Sequence, residues 1–94
     1  MAVIFRWDPQ KARSNLRKHG ISFDEAVAVF HDVLSVTIPD MLHSDDEDRF
    51  IIIGHTLTHK LVVVVHTDDG STVGIISARP AMAHERNQYG ERQT

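Results

Sequence analysis

The hydrophobic period of this chain changes from helical to extended near residue 33, and that change limits the fold more than any other feature. From Pro9 up to it, apolar residues recur at helical spacing. After it, from Leu34 to Arg79, they fall into extended runs rich in Val and Ile, separated by short polar connections. A chain built this way has helices first and a run of sequential strands second, and it buries both by packing helices on an antiparallel sheet.

The elements follow from local signals. Val3 to Trp7 is a short strand of β-branched and aromatic residues. Asp8-Pro9 then supplies an N-cap and a proline at the first helical position, and the helix runs to about His19, where Gly20 stops it. Lys18 and His19 lie in its last turn, where positive charge suits the helix dipole. Ser22-Phe23-Asp24-Glu25 is a capping box, with Ile21 and Ala26 placed for a hydrophobic staple, and opens a second helix that ends near His31-Asp32. Strands are expected at Leu34–Ile38, closed by Pro39-Asp40, then at Arg49–His55, Lys60–Thr67 and Thr72–Arg79. The acidic run Ser44 to Asp48 reads as a loop, the stretch around Leu57-Thr58-His59 as a turn, and Asp68-Asp69-Gly70-Ser71 as a hairpin. Pro80 opens a last helix to about Tyr89, before Gly90 and a polar tail, about 90–94, that is expected to fray. The order is β-α-α-β-β-β-β-α: an α+β fold with a mainly antiparallel sheet, helices on one face and the first strand at an edge.

With 94 residues and no internal repeat or linker, residues 1–94 form one domain. The chain has no cysteine, which rules out disulfides and thiolate metal sites and suits a reducing cytoplasm. Its first residues, Met1 to Arg6, lack the pattern of a signal peptide, and the longest apolar stretch, Leu61 to Val65, is far too short to span a bilayer. The net charge of -3 argues against a nucleic-acid binder, but its distribution argues for one. Arg6, Lys11, Arg13, Arg17 and Lys18 stand against a lone Asp8, whereas Ser22 to Asp48 carries eight acids and no Lys or Arg. One basic and one acidic face is the expectation, either as working surfaces or as plain solvated ones.

Chemistry could sit in three places. Strand alternation puts Val73, Ile75, Ser77 and Arg79 on one face, so Arg79 ends a core-facing row and either leaves for solvent or turns into a cleft. On the helix beyond it, Met82, Glu85, Arg86 and Tyr89 share one side at spacings of three and four. Arginines could grip a phosphodiester and a phenol could stack on a base, or the group could be a surface Glu–Arg pair on an ordinary amphipathic helix. His66, on the face of Val62 and Val64, is either a satisfied core residue or a general acid or base for RNA cleavage. That reaction needs no metal, because RNA carries its own nucleophile. The other histidines (His55 and His59 beside a turn, His31, His43 and His84 scattered) have no spacing of a zinc site, and no metal or cofactor is expected.

Several of these residues belong to a longer pattern. Phe5-Arg6-Trp7-Asp8-Pro9-Gln10-Lys11-Ala12, then Asn15-Leu16-Arg17-Lys18-His19-Gly20-Ile21-Ser22-Phe23-Asp24-Glu25-Ala26, closely resembles the start of the BrnT family of toxins. The resemblance continues through Asp45 to Arg49-Phe50, Leu61 to Thr67, Ile75-Ile76-Ser77-Ala78-Arg79 and Glu85-Arg86-x-x-Tyr89. It implies a RelE-like fold and the toxin of a type II toxin–antitoxin module: an endoribonuclease that inhibits translation and growth. It implies a BrnA-like antitoxin partner, joined to the toxin as a hetero-oligomer and reaching operator DNA through a ribbon-helix-helix part. It also implies roles for His66, Arg79, Arg86 and Tyr89 in catalysis, and for Lys18, His19 and Arg49 in holding RNA. Members of that family often carry several basic residues after the position of Arg79, whereas Pro80-Ala81-Met82-Ala83-His84 has none that is permanently charged. That departure favours an alternative, a catalytically weak or inactive homologue serving as an antitoxin-binding, co-repressing module.

Overall fold

The computed structural model describes residues 3–41 and 48–92. Its elements are β1 (Ile4–Arg6), α1 (Pro9–His19), α2 (Phe23–Val27) with a 3₁₀ turn over Ala28–His31, β2 (Val36–Pro39), β3 (Arg49–His55), β4 (Leu61–Asp68), β5 (Thr72–Pro80) and α3 (Ala83–Arg92). Most of the predicted acidic loop lies outside the described residues.

The caps form as their residues dictate. Asp8 accepts the Gln10 amide at 2.8 Å, Pro9 opens α1, and Gly20 ends it at φ 71°, a left-handed conformation that costs glycine little. Ser22 accepts the Glu25 amide at 3.0 Å, but the Glu25 carboxylate does not return to the cap. It lies 3.4 Å from the Lys60 ammonium, so the box closes on one side only.

The described strands form one sheet in the order β1-β5-β4-β3-β2. β2 through β5 make an antiparallel meander, and β1 joins the edge parallel to β5, pairing Ile4 to Arg6 with Thr72 to Gly74. At the centre, β4 buries Leu61, Val62, Val63 and Val64 on both faces. One face meets α1 and α2: Ile52, Val62, Val64, Val73, Ile75 and Ala78 join Ile21, Phe23, Ala26 and Val29. The opposite face joins Ile53, Leu61 and Val63 to Tyr89 of α3. The helices therefore cover two faces, not one. A central strand that is apolar at every position from Leu61 to Val65 needs cover on both sides, and the second layer is what α3 supplies.

Two further corrections matter for the site. The ladder between β4 and β5 shifts at Val65/His66, so that Val65 faces Ser77 while His66 faces Ile75, leaving Ile76 as an extra residue. This bulge reverses the alternation. Val73 and Ile75 stay in the core under α1 and α2, whereas Arg79, opposite Val63, turns to the α3 face. The last helix also begins later than expected and passes through Gly90. Pro80 still belongs to β5, where it pairs with Val62, and Ala81 donates to the Leu61 carbonyl at 3.0 Å.

Beyond Gly74, β5 has no partner strand on its β1 side, and Asn15 fills that role at one point. Its amide nitrogen donates to the Ala78 carbonyl at 2.8 Å and to the Ile21 carbonyl at 2.9 Å, and its oxygen accepts the Ala78 amide at 3.0 Å. A buried primary amide thus mimics a neighbouring strand and fastens α1 beside the end of β5.

Candidate active site

Arg79 reaches the α3 face near the end of β5, and α3 supplies the group that holds it. Glu85 lies three residues after Met82, the residue just before the helix, and its Oε1 accepts the Met82 amide at 2.8 Å. That bond aims the carboxylate back at the sheet. There it accepts Arg79 Nη1 at 2.8 Å and Nη2 at 2.6 Å, a two-pronged contact with both partners largely out of water. Hydrogen bonding to Glu85 raises the Arg79 pKa further, while the bonds from Arg79 and the Met82 amide hold the Glu85 carboxyl below its usual range against the effect of burial. Arg79 Nη1 also donates to the Pro80 carbonyl at 3.3 Å. A guanidinium has five N–H groups, so the hydrogen bonds seen among the described residues leave donors on Arg79 for a ligand.

His84, beside Glu85, is 71% exposed in its side chain, and its Nε2 stands 3.6 Å from Glu85 Oε2. The same oxygen atom takes the short bond from Arg79, so one carboxylate stands between a guanidinium and an imidazole.

One turn further on, Tyr89 is in the core. Its hydroxyl donates to Asp32 Oδ2 at 2.8 Å. With that hydrogen committed, the contact of 3.0 Å to His55 Nδ1 has the imidazole as donor. Asp32 also accepts the His55 amide at 2.8 Å and the Leu34 amide at 2.9 Å. Burial opposes its ionisation most strongly, but the bonds from the two amides and Tyr89, with the charge of His55, together bring its pKa below the usual value. Gly54 makes room for this knot: a Cβ there would lie 3.0 Å from Val29 Cγ1 and 3.2 Å from Asp32 Oδ2. Tyr89 is thus a bolt between α3 and the sheet. At 7% exposure it offers no open ring for a base to stack on.

The remaining predicted residues are spread over the molecule. Arg86 is exposed, so the helix turns Glu85 and Tyr89 inward and Arg86 outward. Lys18 and His19, exposed at the end of α1, join Lys11 around a cavity of about 270 Å³ that is also lined by Ser14, Asn15, Ile76 and Ser77. Ser77 is two residues from Arg79, so this basic groove approaches the same stretch of β5. Arg49 shares Arg79's sheet face, but it pairs with Thr67 while Arg79 pairs with Val63, about 13 Å away along the strands. His66 lies on the other face, 3% exposed, between the rings of Phe30 (4.8 Å between centroids) and Phe50 (5.9 Å). Its Nδ1 donates to the Val64 carbonyl at 3.2 Å, and burial lowers its pKa. A general acid or base must reach its substrate, and this ring is walled off on the side away from Arg79.

Sequence reasoning assigned no role to Asp32 or Asn15, and considered His55 and His84 only as metal ligands, which their spacing does not support. Asp32 and His55 come from distant segments, and nothing in their spacing marks them as partners. Asn15 was visible only as part of the resemblance.

A family model described as the ribonuclease toxin BrnT of type II toxin–antitoxin systems matches residues 7–85. The fold is similar to the 1.1 Å crystal structure of the Brucella abortus ribonuclease toxin BrnT, with a TM-score of 0.68 and 24% sequence identity over 86% of this chain and 99% of that one. No curated protein sequence matches significantly. The family match spans most of the chain and includes β5, Arg79 and Glu85. This chain belongs to the BrnT family of ribonuclease toxins of type II toxin–antitoxin systems.

Proposed function

We propose that the chain cleaves RNA as an endoribonuclease without a metal ion, and that Arg79, held by Glu85, is the group that grips the scissile phosphate. The supporting observation is the two-pronged contact between Arg79 and Glu85, at 2.8 and 2.6 Å. An arginine fixed on one edge loses little freedom when its remaining donors meet a phosphate, and it can stabilise the negative charge that grows on phosphorus. Lys11, Lys18 and His19 line the groove along β5 and hold the flanking backbone, with Arg86 as a further phosphate contact. Base stacking by Tyr89 and proton transfer by His66 are left out, because both rings are buried.

A type II toxin is neutralised by a protein antitoxin. In our reading that partner is BrnA-like, with a ribbon-helix-helix part that carries the pair to operator DNA as a hetero-oligomer. The toxin works in the cytoplasm, where RNA cleavage stops translation and growth. The direct test is to incubate the purified chain with RNA in excess EDTA and analyse the ends. Cleavage should persist, leave 2′,3′-cyclic phosphate and 5′-hydroxyl ends, and spare RNA whose 2′-hydroxyls are methylated. Cleavage that EDTA abolishes, or that tolerates 2′-O-methylation, would contradict the mechanism.

A further inference from the structure

We infer that His84 is the general acid of the cleavage reaction, an assignment that rests on the ribonuclease reading above and supplies the proton-transfer group it lacks. A phosphodiester presents its non-bridging oxygens and its leaving oxygen on one tetrahedron, so the groups that serve them must converge on one place. Among the described residues, His84 is the histidine that meets Arg79 in this way. Its Nε2 is 3.6 Å from Glu85 Oε2, the atom that Arg79 Nη2 reaches at 2.6 Å. His66 is buried on the opposite face, and His55 directs its Nδ1 to Tyr89.

The local chemistry fits an acid. Glu85 Oε2 stands at ion-pair distance from the ring, 3.6 Å, and holds the imidazole beside Arg79 when the ring is protonated. The ring is 71% exposed, open to substrate and to reprotonation by solvent. Histidine is also the side chain best suited to exchange protons near neutral pH, which a lysine or arginine at this position would not do. In the step itself, the 2′-oxygen forms a bond to phosphorus while its proton leaves to water. The bond from phosphorus to the 5′-oxygen breaks, and the proton on His84 Nε2 passes to that oxygen. The products are a 2′,3′-cyclic phosphate and a 5′-hydroxyl, and His84 regains its proton from solvent. Arg79 stabilises the charge on the non-bridging oxygens throughout.

The test separates acid catalysis from simple positioning. An RNA oligonucleotide is first used to map a cleavage site for the wild-type chain, then remade with sulfur in place of the leaving 5′-oxygen at that site. A thiolate leaves without needing a proton, so a missing general acid is rescued by the sulfur substrate and a missing binding contact is not. His84→Ala should cleave the oxygen linkage about 10²-fold more slowly or worse, and cleave the sulfur linkage at nearly the wild-type rate. An unchanged rate on oxygen, or equal losses on both linkages in a variant with the wild-type melting temperature, overturns the assignment while the ribonuclease reading stands. A wild-type chain that cleaves no RNA overturns that reading, and this assignment with it.

Discussion

Burying the His66 imidazole between two phenylalanine rings ties the stability of this protein to pH. The folded pKa is lowered below the usual 6.5, chiefly by desolvation. The unfolded chain therefore binds the proton more readily, and stability rises with pH across the interval between the two values. The contribution of the neutral ring is complete above the unfolded value and is lost as pH falls through the folded one. Denaturant melts at about pH 7.5 and about pH 5.5 should show lower stability in acid, with a slope of at most about 1.4 kcal/mol per pH unit from this residue. His66→Leu should flatten that slope, and an unchanged slope would show that the proton goes elsewhere. This position was half legible in the sequence. Its place on the row of Val62 and Val64 was readable, but whether the row faced a core or a cleft depended on Phe30 and Phe50, which arrive from other elements. Arg79 was misread for a related reason. Two-residue alternation assigns it to the face of Val73 and Ile75, and one extra residue at Ile76 reverses that.

At the scale of elements, α3 is held to the sheet by two side chains one turn apart, with different consequences. Glu85 orients Arg79, whereas Tyr89 ties the helix to Asp32 and His55. Tyr89→Phe should lower stability by about 1–2 kcal/mol by stripping Asp32 of a donor, and leave the rate of RNA cleavage per folded molecule close to wild type. Glu85→Gln should cut that rate by about 10²-fold, because it releases Arg79 from its orientation. Thermal melts run beside cleavage assays separate the two effects, and a Tyr89→Phe variant that is stable but inactive would contradict this division. Element types and their order were readable from caps and periodicity, including the edge position of β1. The start of α3 was not, because proline serves equally well to open a helix or to end an edge strand. Pro80 lies where β5 has no strand on its β1 side, so its missing N–H leaves no ladder bond unmade.

For the whole molecule, the net charge of -3 hides a local cluster of basic side chains on α1. The cations of α1 gather beside the open end of β5, where Lys11, Lys18 and His19 line one groove. Binding there should weaken with salt, and each phosphate contact removed should lower the slope of log affinity against log salt by about 0.7 for a single strand. Lys18→Ala, read by titrating catalytically inert RNA across a salt series, should lose roughly one such contact. A slope equal to the wild type's would place the RNA elsewhere. The basic segment was legible in the sequence, but the groove it lines was not, since that needs Asn15 to bring α1 against Ala78. Asp32 and Asp40 of the acidic segment turn inward rather than forming an acidic face. We propose that RNA cleavage by this chain depends on Arg79, fixed by Glu85. The most direct test is induced expression in a bacterial host of wild type beside Arg79→Ala, following growth and total RNA while confirming that both are soluble and folded. Wild type should arrest growth and fragment RNA while the variant does neither. Undiminished RNA cleavage by folded Arg79→Ala would contradict that dependence.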